Sequence, residues 1–206
     1  MQVRGARFHA GGVSAELCSP WGSGEFTSPL QGDFNLSNLA AAIAALVLAG
    51  EDLLAVLDAV ASLQPVPGRM QSIPNDAGLQ VIVDYAHTPH ALEQVLQALR
   101  PHVSGHLVTV FGCGGDRDRE KRQLMGRVAC ALSDRVVVTG DNPRSENPRA
   151  IMADIETGCS GDYRLQEDRA EAIAGAIATA AAGDCVLIAG KGHEDYQLVE
   201  GEKLYF

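Results

Sequence analysis

Val136-Val137-Val138-Thr139-Gly140-Asp141-Asn142-Pro143-Arg144 decides the fold. Three successive valines read as a strand buried on both faces, and the glycine ends it. An acid, an amide, a proline and an arginine follow at once. In open α/β sheets, ligands sit beyond the carboxyl ends of the strands. The stretch therefore predicts a parallel strand that delivers a pocket for a small zwitterion to the rim of a sheet.

Three other apolar runs have the same form. Val81–Asp84 leads into Tyr85-Ala86-His87-Thr88-Pro89, and Leu107–Phe111 into Gly112-Cys113-Gly114-Gly115-Asp116-Arg117-Asp118. Cys185–Ala189 leads into Gly190-Lys191-Gly192-His193-Glu194-Asp195. Helical patterns lie between these runs. Thr88-Pro89 and Asn147-Pro148 each pair an N-cap with a proline at the first helical position. Leu92, Val95, Leu96 and Leu99 line one helix face, Arg119–Leu132 is a second helix, and a third runs from Pro148 to Glu156. Asp168 and Glu171 have capping-box spacing and open a helix carrying Ile173, Ala176, Ile177 and Ala180, closed by Gly183. This alternation predicts a doubly wound, mainly parallel α/β sheet. All four loops then leave one edge, which brings together Asp84, His87, Arg117, Asp141, Asn142, Arg144, Lys191, His193 and Glu194. Tyr196–Val199 and Lys203–Phe206 read as a small hairpin.

The first third reads differently. Val13–Leu17 and Phe26–Leu30 are strands flanking the turn-rich Cys18–Glu25, as in a hairpin or meander. Phe34–Ala49 is a helix whose Leu39–Ala49 section is apolar nearly all round, so it is expected to be buried, with Gly50 as its C-terminal cap. Asp52–Leu63 is a second helix. Gln64-Pro65-Val66-Pro67-Gly68 reads as a linker. It divides the chain into residues 1–64 and 65–206.

Composition narrows the function classes. The net charge of −10 argues against nucleic acid or an anionic membrane as the main partner. The five cysteines include no C-x-x-C pair and are expected to be free thiols in a reducing compartment. Cys113, in the glycine-rich loop, is the one placed to matter. No apolar run reaches the length of a membrane span and no signal peptide is evident, so a cytoplasmic location is expected.

The chemistry resides in the loops. Arg144 lies close to the N-cap Asn147, where the helix dipole disfavours positive charge. A carboxylate from protein or ligand would relieve that, and Arg144 and Arg117 both suit bidentate capture of a small molecule's acid groups. Glu194 is a natural mate for an ammonium. The glycines at 112–115 admit either a flexible turn or a close backbone approach to an anion. They form no dinucleotide fingerprint, and Gly190-Lys191-Gly192 is no P-loop. His87 and His193 read equally well as packing residues. No cluster has metal-ligand spacing, and no nucleophile–base pairing stands out.

Together these motifs resemble the Mur ligases. The resemblance is carried by Asp84–Pro89, Phe111–Asp118, Asp141–Arg144 and Gly190–Asp195, with Phe34-Asn35-Leu36-Ser37-Asn38 and Gly68-Arg69-Met70 in the expected order. It implies a Rossmann-like C-terminal ligase domain over 65–206, lacking its last helix. That domain would be preceded, over 1–64, by the tail of an α/β ATPase domain. It also implies an ATP- and Mg2+-dependent amide-forming ligase of peptidoglycan precursor synthesis. In such enzymes the acceptor carboxylate becomes an acyl phosphate, which the incoming amine attacks.

Position by position, Asp141, Asn142, Pro143 and Arg144 match the motif of the diaminopimelate-adding members. The implied partners are meso-diaminopimelate and a UDP-N-acetylmuramoyl-dipeptide. By the same resemblance Arg144 holds the distal carboxylate with Arg117 assisting, and Gly190 and Glu194 take the ammonium. Asn38 lies near the adenine, Arg69 at the ATP site and Asp84 at the ribose. His87 is a candidate catalytic residue without an assigned role. No P-loop lysine and no Mg2+ ligand set is present in the 206 residues, so the chain alone is expected not to ligate. The alternative is an amino-acid-binding or regulatory module built on the same fold.

Overall fold

The computed structural model describes residues 1–205. The chain divides into two compact units, Met1–Pro65 with Ala98–His102, and Val66–Gln97 with Val103 onward.

The first unit is a three-stranded antiparallel sheet of β1 (Gln2–His9), β2 (Gly12–Ser19) and β3 (Gly22–Ser28), with helices α1 (Asp33–Leu48) and α2 (Leu53–Ala59). The sequence expectation differs here in three ways. The first strand is polar and carries no apolar alternation. The expected long turn over Cys18–Glu25 shrinks to Pro20-Trp21, because the Ser19 hydroxyl accepts from Trp21 N–H and donates to the Gly22 carbonyl. And α1 is not buried all round: Leu39 and Ile43 enter the core with Leu17, Phe26, Leu53 and Leu57, while Leu46 and Leu48 are 47% and 72% exposed. A helix resting on one side of a small sheet buries one stripe only. Asp52 caps α2 by accepting from Ala55 N–H at 3.0 Å. A 3-10 turn, Val60–Ser62, ends that helix early.

The second unit is the α/β layer structure. Its six-stranded sheet has the order β4-β5-β9-β6-β7-β8, comprising β4 (Gln71–Ser72), β5 (Gln80–Asp84), β6 (Leu107–Phe111), β7 (Arg135–Thr139), β8 (Tyr163–Gln166) and β9 (Cys185–Ala189). Only β4 is antiparallel to its neighbour. The connecting helices are α3 (Pro89–Leu99), α4 (Glu120–Leu132), α5 (Pro148–Glu156) and α6 (Arg169–Thr179). The chain lays down β5, β6, β7 and β8 in one direction and then turns back to place β9 between β5 and β6; ligands of such sheets sit beyond the carboxyl ends of the strands.

Local sequence explains the element boundaries. Thr88, Asn147 and Asp168 each accept N–H bonds from the first turn of the helix that follows. Val108, Val110, Val137 and Val186 pack against Ala172 and Ala176 of α6. The alternate residues Thr109, Phe111, Val136 and Val138 are buried as well, so both sheet faces are covered. Strand β8 escapes a sequence reading because it is a half-exposed, four-residue edge strand, Tyr163-Arg164-Leu165-Gln166, with no apolar run. A hairpin of β10 (Tyr196–Val199) and β11 (Glu202–Tyr205) follows the sheet. Its second strand begins one residue earlier than the sequence suggests, and Phe206 lies outside the described residues. No helix among the described residues is long and apolar enough to cross a membrane.

Candidate functional site

The loops after β5, β6, β7 and β9 leave the same edge of the sheet, since these strands are parallel. The loops after β6 and β7 are fastened to each other. A Cβ on Gly112 would lie 2.3 Å from the Thr139 carbonyl oxygen, and one on Gly115 would lie 2.0 Å from that of Pro143. The glycine run thus lets two backbones pack closely. Gly115 N–H donates to the Asn142 carbonyl at 2.9 Å. The Asp116 carboxylate accepts from Ser145 N–H and its hydroxyl, and Asp116 N–H donates to Glu146 Oε1 at 2.6 Å. Beneath them lies Arg122, fully buried. Its guanidinium pairs with Glu146 at 2.7 Å and Asp154 at 2.8 Å. The Arg122 hydrogen bond holds Glu146 below the usual carboxylate range, and Arg122 and Arg119 do the same to Asp154.

Arg144 stands on this platform in the left-handed region, with φ 55°. Its backbone is held from the hairpin: Arg144 N–H donates to Leu198 O at 2.9 Å, and Glu200 N–H donates to Arg144 O at 2.9 Å. Its Nη1 donates to the carbonyls of Gly115 at 2.8 Å and Asn142 at 3.4 Å. No carboxylate among the described residues pairs with it. Arg117 is exposed and donates to the Asp116 carbonyl, also without a carboxylate. Lys121 Nζ donates to the His87 carbonyl at 3.2 Å.

The opposite wall is acidic. Lys191, only 4% exposed, donates from Nζ to Asn142 Oδ1 at 2.9 Å, to Tyr196 O at 2.5 Å and to Glu194 Oε2 at 3.4 Å. Asp141 Oδ1 lies 4.0 Å away. Burial pushes the Lys191 ammonium down, while Asp141 and Glu194 pull it back up. Asn142 Oδ1 also accepts from Leu198 N–H at 2.8 Å, so the side chain of Asn142 ties the β7 loop, the β9 loop and the hairpin together. At the base, Arg169 is buried and donates to Gly140 O and Ala189 O.

Between these walls lies a cavity of about 350 Å3, within the range of small-molecule sites. Arg117, Asp141, Asn142, Arg144, Gly190, Glu194 and His87 all line it, joined by Lys121. Of the nine residues expected to converge, His87, Arg117, Asp141, Asn142, Arg144 and Glu194 line this cavity, and Asp84, Lys191 and His193 do not. Pro143 is buried and does not line this cavity. The buried Asp84 carboxylate accepts from Met70 N–H and Ala86 N–H, each at 2.8 Å. Arg69 is exposed and stacks its guanidinium 4.6 Å from the centre of the Tyr85 ring. Asn38 is exposed on α1 of the first unit. Cys113 lines the cavity but is 3% exposed with its Sγ against Met125. Burial pushes its thiol up to about 12, so it is no nucleophile at neutral pH. Among the described residues no cluster of three or more His, Cys, Asp or Glu is placed to hold a metal.

Residues 68–192 match the family model described as Mur ligase, glutamate ligase domain. The chain belongs to the Mur ligase family. It is 55% identical, over 95% of its length, to UDP-N-acetylmuramoyl-L-alanyl-D-glutamate–2,6-diaminopimelate ligase of Parasynechococcus marenigrum (strain WH8102), of which it covers 40%. The same-named protein of Gloeobacter violaceus is 51% identical over 98% of the chain, which covers 42% of it. A solved structure of a ligase of that name is 46% identical and superposes with a TM-score of 0.81, over 99% of this chain and 42% of that one. This Mur ligase chain thus spans about two-fifths of the length of the curated relatives it matches.

Two buried arginines of the Mur ligase chain went unread in its sequence. Arg122 looks like one more cation of a charged helix. Arg169 carries a signal: it follows the N-cap Asp168 directly, where a cation opposes the helix dipole and needs a compensating reason. Lys191 stood among the converging residues, yet its burial and its three-way bond to Asn142, Glu194 and Tyr196 become visible only in three dimensions.

Proposed function

We propose that this chain is the amino-acid-selecting part of a cytoplasmic, ATP-dependent ligase that adds meso-diaminopimelate to UDP-N-acetylmuramoyl-L-alanyl-D-glutamate in peptidoglycan precursor synthesis. One observation carries the reading. The Arg144 guanidinium faces a small-molecule cavity bonded only to carbonyl oxygens, with Arg117 beside it likewise lacking a carboxylate. Two guanidiniums without counter-ions at a ligand-sized cavity favour a guest with carboxylates. Asp141 and Glu194 on the other wall favour a guest that also carries an ammonium. A diamino diacid has both.

In this reading Arg144 takes the distal carboxylate and Arg117 assists. Glu194 and the Gly190 carbonyl take the distal ammonium, with Asp141 adding negative potential. Asn142 and Pro143 act on the guest by holding the loop in shape. The remaining amine is then free to attack the activated acceptor. ATP supplies that activation by phosphorylating the acceptor carboxylate, and phosphate leaves as the amide forms. Asn38, Arg69 and Asp84 are the residues of this chain proposed at the nucleotide. Arg69, exposed and braced on Tyr85, suits a phosphate oxygen. Each Asp84 oxygen keeps a lone pair for a ribose hydroxyl after its one backbone bond. Mg2+ would be held by residues beyond those described. His87 lines the cavity and remains the candidate for a catalytic part.

The test is turnover in a chimera, with this chain replacing the matching segment of the Gloeobacter violaceus relative. Phosphate release that depends on both the nucleotide dipeptide and diaminopimelate supports the reading. Turnover with L-lysine and none with diaminopimelate overturns it.

A further inference from the structure

Arg169 is 2% exposed, and nothing in the function proposed above uses it. Its Nη1 donates to Gly140 O at 3.3 Å and its Nη2 to Ala189 O at 2.9 Å. Its Nε has no hydrogen-bond partner among the described residues. Asp141 attracts this guanidinium without a salt bridge, burial still outweighs that attraction, and a Met of similar volume would fill the space without the cost. The two carbonyls it bonds belong to the exits of β7 and β9. Those strands are not neighbours, because β6 runs between them. The ladder therefore fixes each exit to β6 and does not fix one exit to the other. A single planar fork spans both.

The next residues along the chain are Asp141 and Gly190. A peptide unit is planar, so fixing a carbonyl fixes the N–H of the residue that follows. With Ala189 O held by Arg169, Gly190 N–H is directed to Asp84 O at 3.1 Å. With Gly140 O held likewise, the backbone entering Asp141 is set. Lys191 joins the same two loops further out, through Asn142 and Glu194. The base of the gap is left to Arg169.

We infer that Arg169 is a positioning residue that sets the width of the cavity's ammonium side, between Asp141 and the Gly190–Glu194 loop. This rests on the function proposed above. The charge is retained because the planar guanidinium presents its donors at a fixed spacing, which matches two carbonyls, whereas an apolar side chain has no donor and an ammonium is a point donor that sets no spacing. Arg169 touches no guest; it acts through Asp141 and Gly190.

The test compares meso-diaminopimelate with 2-aminopimelate, which keeps both carboxylates and lacks one amine. Affinities are measured by calorimetry for the parent chain, Arg169→Lys and Arg169→Gln, with thermal unfolding run alongside. The parent is expected to prefer diaminopimelate by about tenfold, the worth of one charge-assisted contact. Arg169→Lys and Arg169→Gln are expected to lose that preference to within about twofold, while 2-aminopimelate affinity stays within about threefold of the parent. A folded variant that keeps the parent's preference overturns the inference. So does equal weakening of both ligands, or failure of both variants to fold, since either outcome marks a purely structural role. A parent that does not bind diaminopimelate, or that prefers 2-aminopimelate, overturns the function reading itself and this inference with it.

Discussion

The Arg144 guanidinium, in the loop after β7, bonds the Gly115 carbonyl of the loop after β6 at 2.8 Å, while its own backbone sits at φ 55°. A side chain in the left-handed region costs roughly 1–2 kcal/mol. Here the hairpin bonds from Leu198 and Glu200 hold it there. Glycine adopts the same conformation freely. Arg144→Gly is therefore expected to be more stable than Arg144→Ala by about 1 kcal/mol, measured by urea denaturation. Greater stability of the alanine variant would show that the backbone is not strained at this position.

The buried Arg122 fastens both rim loops through Glu146 and Asp154. Removing it takes the cation from Glu146 and leaves Asp154 with Arg119 alone; because both carboxylates keep access to water, Arg122→Met is expected to lose about 2 kcal/mol, the worth of a charge-assisted hydrogen bond. The pH dependence has a definite sign. Glu146 and Asp154 are held below their ordinary values of 4.5 and 3.8. Their contribution is present above those values and is lost as pH falls through the lower folded ones. Denaturation midpoints of the parent should fall on acidification, and Arg122→Met should show a shallower acid limb. Parallel acid limbs would contradict this.

The strands that carry the site were legible because burial on both faces demands apolar runs: Val136–Val138, Leu107–Phe111 and Cys185–Ala189 announce themselves. Caps at Asn147 and Asp168 were legible because their side chains act within one turn. Strand β8 was not, because an edge strand needs no apolar alternation. The exposure of Leu46 and Leu48 was not either, since periodicity reports how apolar a helix is and not how many faces its unit can cover. At the site, Arg144, Arg117 and Glu194 were read from charge and loop position. Arg122 and Arg169, and the burial of Lys191, escaped because a buried cation and a solvated one look alike in sequence. Only the carbonyls and carboxylates brought to them from distant loops tell them apart.

In the first unit, Gly32 N–H at the start of α1 donates to His102 Nε2 at 3.0 Å, and His102 Nδ1 bonds the His9 carbonyl at 2.8 Å. This arrangement needs a neutral ring. Burial lowers His102 from 6.5, with the His9 bond opposing. For a histidine lowered on folding, stability is full above the unfolded value and is lost as pH falls through the folded one. Protonation also places a cation at a helix N-terminus. The first unit should therefore lose stability below pH 6.5, and His102→Gln should reduce that loss. Amide exchange in α1 of parent and variant, followed across this range, measures it. Identical pH profiles would contradict the assignment.

Cys113 and Cys185 are buried, whereas Cys18, Cys130 and Cys159 are partly exposed. With its thiol pushed up to about 12, Cys113 should resist alkylation by iodoacetamide at neutral pH in the folded chain and react after denaturation. Peptide mass spectrometry reads this directly. Rapid labelling of Cys113 in the native chain would show that the glycine-rich loop opens.

The central claim is that Arg144 reads a carboxylate of an amino-acid guest. Titration calorimetry with meso-diaminopimelate on the parent chain and Arg144→Ala tests it most directly. The predicted result is binding by the parent and a loss of at least about tenfold in the variant, the worth of a charge-assisted contact. Equal affinity in both would contradict the claim.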